Sequence, residues 1–154
     1  MRDFGCVQSP INAYMLNLGL ESLHVRMARH CENGQAVAEF LASHPKIAYV
    51  NYCGLPGDKY HAVAEKYLPN GSCGVVSFGV KGGREAAAAF MGHLKIAAIE
   101  THVADARTCC LHPASSTHRQ MNDEQLIAEL VRMSCGLEDK NDLIHDIAQA
   151  LDQI

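Results

Sequence analysis

No apolar run in this sequence approaches the ~18 residues that a membrane-spanning helix requires. The opening stretch MRDFGCVQSP has none of the basic-then-apolar form of a secretory leader. A cytosolic protein without a membrane partner is the expectation. There is no basic run either: the thirteen Lys and Arg are scattered and the net charge is −4, so no nucleic-acid surface is expected. The seven cysteines are odd in number and contain no Cys-x-x-Cys pair, and the chain is not so small that it needs a disulfide framework. Reduced thiols are predicted, with Cys31, Cys53, Cys73 and Cys135 in apolar or strand-like contexts that suit burial better than zinc. Absent too are the Gly-x-Ser-x-Gly turn of a serine hydrolase and the paired histidines with an intervening glutamate of a zinc helix. No metal site is expected.

What is present fits one folded domain. A chain of 154 residues buries roughly 68–70% of the surface its unfolded form exposes, and an apolar fraction of 48% against 19% charged residues is ordinary for a globular protein. Ser9-Pro10 marks a helix start, with Ser9 as the cap and Pro10 where a missing N–H costs nothing. Helical spacing of apolar residues runs on through Leu20, Leu23, Met27, Cys31, Val37, Phe40 and Leu41 to SHP at 43–45, with a break expected near Gly19–His24. KIAYVNYCG and SCGVVSFGV read as strands, LPGDKYHAVAEKYLP as a turn and a short helix, and REAAAAFMGHL as a helix after Gly82-Gly83. Two short apolar runs follow, KIAAI and TCCLH. Asn122 with Gln125 suits a capping box for a helix over DEQLIAEL, VRMSCG is strand-like, and Leu143, Ile144, Ile147, Leu151 and Ile154 give a last helix one apolar face. The sum is an α+β layer of sheet covered by helices.

Chemistry-bearing residues are few. LHPASSTHRQ at 111–120 gathers two histidines, two serines and a threonine, but clustering in sequence is poor support for a catalytic triad, whose members converge from distant segments. Gly82-Gly83 before a helix, without a longer phosphate fingerprint, reads as a turn. His24, His30, His61 and His145 fall within helices and suit surface or core roles. Arg132 is more informative. It sits inside an apolar strand, where alternation sends it either to a solvent face or to a pocket that needs an anion, and a guanidinium fork binds a carboxylate through two bonds.

Several segments in order, SPINAYMLNLGLESLHVRMARHCENGQAVAEFLASHP, YVNYCGLP, GVVSFGVKGG, THVADARTCCLHPASSTHRQM and RMSCGLED, resemble the C-terminal part of the pyridoxal-phosphate enzymes of cysteine and methionine metabolism. Within that family the resemblance is to the branch acting on O-acetylhomoserine with sulfide. It covers nearly the whole chain, and HPAS-x-TH and R-x-S-x-G-x-E are its specific segments. The resemblance implies the small C-terminal domain of a fold-type I transferase, with linking helices over 1–43 and an α/β sheet layer over 44–154. The family's N-terminal domain, which carries the cofactor lysine in a Ser-x-Thr-Lys-like segment, has no counterpart here. None of the lysines at 46, 59, 66, 81, 95 and 140 stands in that context, so no catalytic lysine is expected.

By the same resemblance Arg132 holds the substrate's α-carboxylate and Thr101 takes the place of a serine near the substrate. Ser115, Thr117 and His118 frame the entrance. The implied cofactor is pyridoxal 5'-phosphate, the implied substrate a small amino acid, and the implied reaction the replacement of acetate at the γ-carbon by sulfide or a thiol. A homo-oligomer, or association with a lysine-bearing N-terminal domain, goes with it. Rival readings are a related γ-synthase or γ-lyase, a non-catalytic assembly domain with an uncovered apolar surface, and a free-standing cysteine- or metal-dependent enzyme. The run AELVRMS passes from helix to strand with no Gly or Pro, where relatives have a longer turn.

Overall fold

A computed structural model describes residues 3–118, 120 and 127–154. Helix α1, Pro10–Glu21, opens on Ser9, whose hydroxyl accepts the Asn12 N–H at 3.4 Å. Ser22 interrupts the chain in the expected interval, and α2 runs Leu23–Ser43. Strand β1 is Ile47–Asn51, α3 is His61–Tyr67 and β2 is Val75–Val80. Gly82 precedes α4, Gly83–His93, and both glycines take the left-handed backbone, φ 106° and 72°, that side-chain-bearing residues avoid. Strands β3, Ala98–Ile99, β4, Cys109–Leu111, and β5, Leu130–Ser134, follow, and α5 is Lys140–Asp152.

The strands form one sheet in the order β1-β2-β5-β4-β3. All pairs are antiparallel except β3 with β4, so the sheet is mixed, a point the apolar pattern left open. Alternation along β2 and β5 sends Val76, Phe78, Val80, Val131 and Met133 to one face, where Val37 and Leu41 of α2, Phe90 of α4 and Leu143, Ile147 and Leu151 of α5 cover them. Phe78 and Phe90 meet edge to face, with ring centroids 5.8 Å apart.

One expectation needs correction. The helix expected over DEQLIAEL falls partly on 121–126, outside the described residues, but its end is not helical: residues 128–129 turn and Leu130 already pairs with Gly79. The Leu130 N–H bonds to Ile127 O and the Val80 N–H to Glu129 O, so strand pairing claims these residues over helix propensity. The missing turn is thus supplied by 127–129. The apolar face expected to continue through Leu20, Leu23 and Met27 is present but uncovered. No residue of α1 is buried, and Ile11, Tyr14, Leu16 and Leu20 are 62%, 62%, 58% and 61% exposed.

Thiols behave largely as the cysteine pattern suggests. Cys109, Cys110 and Cys135 are buried, Cys31, Cys53 and Cys73 half-buried and Cys6 exposed. Burial pushes the Cys110 and Cys135 thiols from the ordinary 9.0 up to about 12. At pH 8 a disulfide reagent is expected to label Cys6 quickly and to reach Cys110 and Cys135 only on unfolding. Unfolded thiols ionise near 9.0 while these two hold their protons to about 12, so rising pH across that window removes protons only from the unfolded state and lowers stability. Urea midpoints measured at pH 8 and pH 10 check the sign; a midpoint that rises would contradict it.

Candidate substrate-binding site

The alternation that buries Val131 and Met133 puts Arg132 on the opposite face of the sheet, half-buried, with Ser77 of β2 and Leu111 of β4 as its cross-strand neighbours. One Nη2–H donates to the Thr101 carbonyl oxygen at 3.1 Å. Among the described residues no carboxylate reaches the guanidinium and its other N–H groups meet no partner. A half-buried cation fixed by one neutral acceptor, with most of its fork unused, has the chemistry to bind an anion.

Thr101 follows β3, which Asp146 of α5 helps to position. The Asp146 carboxylate is 5% exposed and accepts the N–H groups of Lys95, Ile96 and Ala97 at 2.8, 2.9 and 3.3 Å. The far end of β5 is pinned likewise: Glu138 accepts from the Thr108 N–H and hydroxyl at 2.7 and 2.8 Å, and the Asn33 amide donates to the Gly136 and Glu138 carbonyls.

Thr101 and Ser115 line one cavity of about 290 Å3 with Glu100, Leu111, His112 and Ser116. Ser115 ends the short 3-10 turn Pro113–Ser115. His112, 3% exposed, holds that turn: Nδ1 accepts the Ser115 N–H at 3.1 Å, and Nε2–H donates to Ala128 O at 2.7 Å. One imidazole therefore ties the 113–118 segment to the turn that feeds β5. Thr117 and His118 are exposed and bond to each other at 2.8 Å; no described contact joins them to Arg132. Sequence reasoning missed His112 and Asp146 as organisers. The available signal was a lone acid, Asp146, beside Ile147 on the apolar face of α5.

Five of the six lysines are engaged elsewhere. Lys46 donates to the carbonyls of Leu151 and Ile154, Lys81 to that of Pro45, and Lys140 pairs with Glu32 at 2.8 Å. Lys59 and Lys66 lie over the rings of Tyr60 and Tyr67. No lysine contact reaches Thr101, Arg132 or Ser115 among the described residues, so no amine stands beside the guanidinium fork. Nor do the described residues gather three potential metal ligands, and no helix among them is long and apolar enough to cross a membrane.

Residues 1–152 match the family described as Cys/Met metabolism PLP-dependent enzyme, and the chain belongs to it. It is 42% identical to an O-acetyl-L-homoserine sulfhydrylase of Leptospira meyeri over 100% of this chain and 36% of that one. A homocysteine synthase of Schizosaccharomyces pombe is 41% identical over 99% of this chain and 37% of its own. An L-methionine gamma-lyase of Treponema denticola is 39% identical over 97% and 38%. A crystal structure of a putative O-acetylhomoserine (thiol)-lyase from Campylobacter jejuni, containing a pyridoxyl-lysine, superposes with a TM-score of 0.89 at 37% identity, over 98% of this chain and 37% of that one. The chain thus spans a little over a third of the length of these relatives.

Proposed function

We propose that this chain is the C-terminal, substrate-side part of a pyridoxal-phosphate enzyme that replaces the acetate of O-acetylhomoserine with sulfide or a thiol, giving homocysteine or methionine. The observation that carries the reading is the Arg132 fork, fixed by the Thr101 carbonyl and otherwise unpartnered among the described residues. Names of relatives at about 40% identity support the choice of substrate.

Pyridoxal phosphate, when bound, supplies the electron sink for bond cleavage at the γ-carbon. The work of this chain is orientation. Arg132 takes the α-carboxylate, Thr101 fixes the aim of the guanidinium, and the 113–118 segment, including Ser115, Thr117 and His118, frames the approach. The lysine comes from the rest of the enzyme, with residues 1–43 as the link to it and 44–154 as the sheet layer. The uncovered apolar face of α1 suits packing on that lysine-bearing part or on a second subunit. Such an enzyme works in the cytoplasm.

The test joins the chain to the lysine-bearing part of a sulfhydrylase relative and assays homocysteine formed from O-acetylhomoserine and sulfide. Activity is expected only in the joined protein, with no single lysine of the isolated chain trapped by borohydride in the presence of pyridoxal phosphate. A lysine of this chain labelled stoichiometrically would overturn the division of labour. Breakdown of methionine, without replacement, would assign the γ-lyase chemistry instead.

A further inference from the structure

Residues 101–107 are an exposed stretch without regular structure, and a carbonyl in such a stretch fixes a guanidinium only if its own backbone is held. What holds it is laid out along β5. Arg132 donates to the Thr101 carbonyl at 3.1 Å, Ser134 Oγ accepts the Ala104 N–H at 3.1 Å, and the Leu137 N–H donates to the Ala106 carbonyl at 2.9 Å, so loop and strand advance together. From β4 the Cys109 S–H donates to the His102 carbonyl at 3.0 Å.

Register puts the side chains concerned on one face. Cys109 pairs with Ser134 and Leu111 with Arg132 across β4 and β5, so Cys109, Ser134 and Arg132 share the face opposite the core side of Val131 and Met133. Ser134 is two residues from Arg132 on one strand, and Cys109 is its diagonal neighbour, about 7–8 Å away across the pair. Cys109 and Ser134 are 1% and 3% exposed, so water competes little for either bond. Burial pushes the Cys109 thiol above the ordinary 9.0, which keeps the donated proton on sulfur at neutral pH.

Two further features separate this pair from ordinary packing. Strands β4 and β5 already pair through their backbones, so the sheet does not need either side-chain bond. Ala104 takes a left-handed φ of 60°, which a residue with a side chain holds only where its surroundings over-determine it, and its N–H is the one that Ser134 accepts.

We propose that Cys109 and Ser134 are positioning residues for the carboxylate site: they clamp the 102–104 backbone to the sheet, so that the Thr101 carbonyl stays on Arg132 and the guanidinium keeps one aim. The proposal rests on the γ-replacement reading above, in which Arg132 takes the α-carboxylate, and adds the pair that sets its geometry.

The test is nuclear magnetic resonance of the reduced, isotope-labelled chain, read at the Arg132 guanidinium N–H signals first without ligand and then during titration with O-acetylhomoserine. The bond to Thr101 slows rotation of the fork, so separate Nη signals are expected at low temperature. Cys109→Ala and Ser134→Ala should each merge them and weaken the response to O-acetylhomoserine about three- to tenfold. Cys109→Ser, whose hydroxyl can donate to the same carbonyl, should restore both to within about twofold. Cys110→Ala removes a thiol from the core face of the same strand and should change neither, although it lowers stability. The two Cys109 variants differ by one oxygen and decide the matter even where Ser134→Ala does not fold. Separate signals kept in both Cys109→Ala and Ser134→Ala, or lost equally in Cys110→Ala, would overturn the clamp. Merged signals with undiminished affinity would overturn its part in carboxylate binding. An unsubstituted chain whose Arg132 ignores O-acetylhomoserine, with signals still governed by Cys109 and Ser134, sinks the carboxylate reading and keeps the clamp.

Discussion

Replacing Arg132 with alanine in the joined enzyme is expected to raise the KM for O-acetylhomoserine about 10- to 100-fold, because hydrogen bonds to a charged group contribute about 1.5–3 kcal/mol. The side chain is half-buried on the face of β5 opposite Val131 and Met133, and its one described partner is the Thr101 carbonyl at 3.1 Å. Nothing internal is left uncompensated when it goes, so stability should change by less than about 1 kcal/mol. Arg132→Lys keeps the charge and loses the planar fork, and should recover only part of the affinity. Steady-state kinetics in amino acid and sulfide separately decide the matter: the KM for sulfide should hardly move. An unchanged KM for the amino acid would remove Arg132 from the site.

The second large effect is on stability. Asp146→Ala should lower unfolding free energy by about 3 kcal/mol, since buried donors left without an acceptor each cost about 1–3 kcal/mol. Three backbone N–H groups, of Lys95, Ile96 and Ala97, converge on that one carboxylate, and the Gln149 amide adds a fourth bond at 3.1 Å. For a domain of this size the loss corresponds to a melting temperature roughly 6–12 °C lower. Asp146→Asn should be intermediate, because its amide oxygen still accepts while its NH2 faces donors. The segment Asp146 holds leads into β3 and on to Thr101, so the alanine variant should also weaken amino-acid binding. Urea denaturation followed by binding at low temperature separates the two effects; a loss under 1 kcal/mol would show the carboxylate to be replaceable by solvent.

Most element types were legible because local rules decided them. Ser9-Pro10 started α1, Gly82-Gly83 turned into α4, and β-branched alternation marked β2 and β5, each a matter of backbone sterics or side-chain period within a few residues. The end of the DEQLIAEL segment was misread because its residues are good helix formers and the partner of Leu130, Gly79, is distant in sequence. His112 and Asp146 escaped notice for a related reason. Their partners, Ala128 and Lys95–Ala97, are distant in sequence, and a residue's composition does not say which backbone groups will lie beside it.

From the sequence alone came the α+β class, the helices and strands, the reduced thiols, the oddity of an arginine in an apolar strand, and the family through its ordered motifs. These follow from period, turn chemistry and residue type, which act locally. The tertiary structure decided the order and sense of the strands, the face on which Arg132 lies, its tie to the Thr101 carbonyl, and the burial of His30. Those depend on which distant segments pack together, and packing is settled by the burial of the whole core.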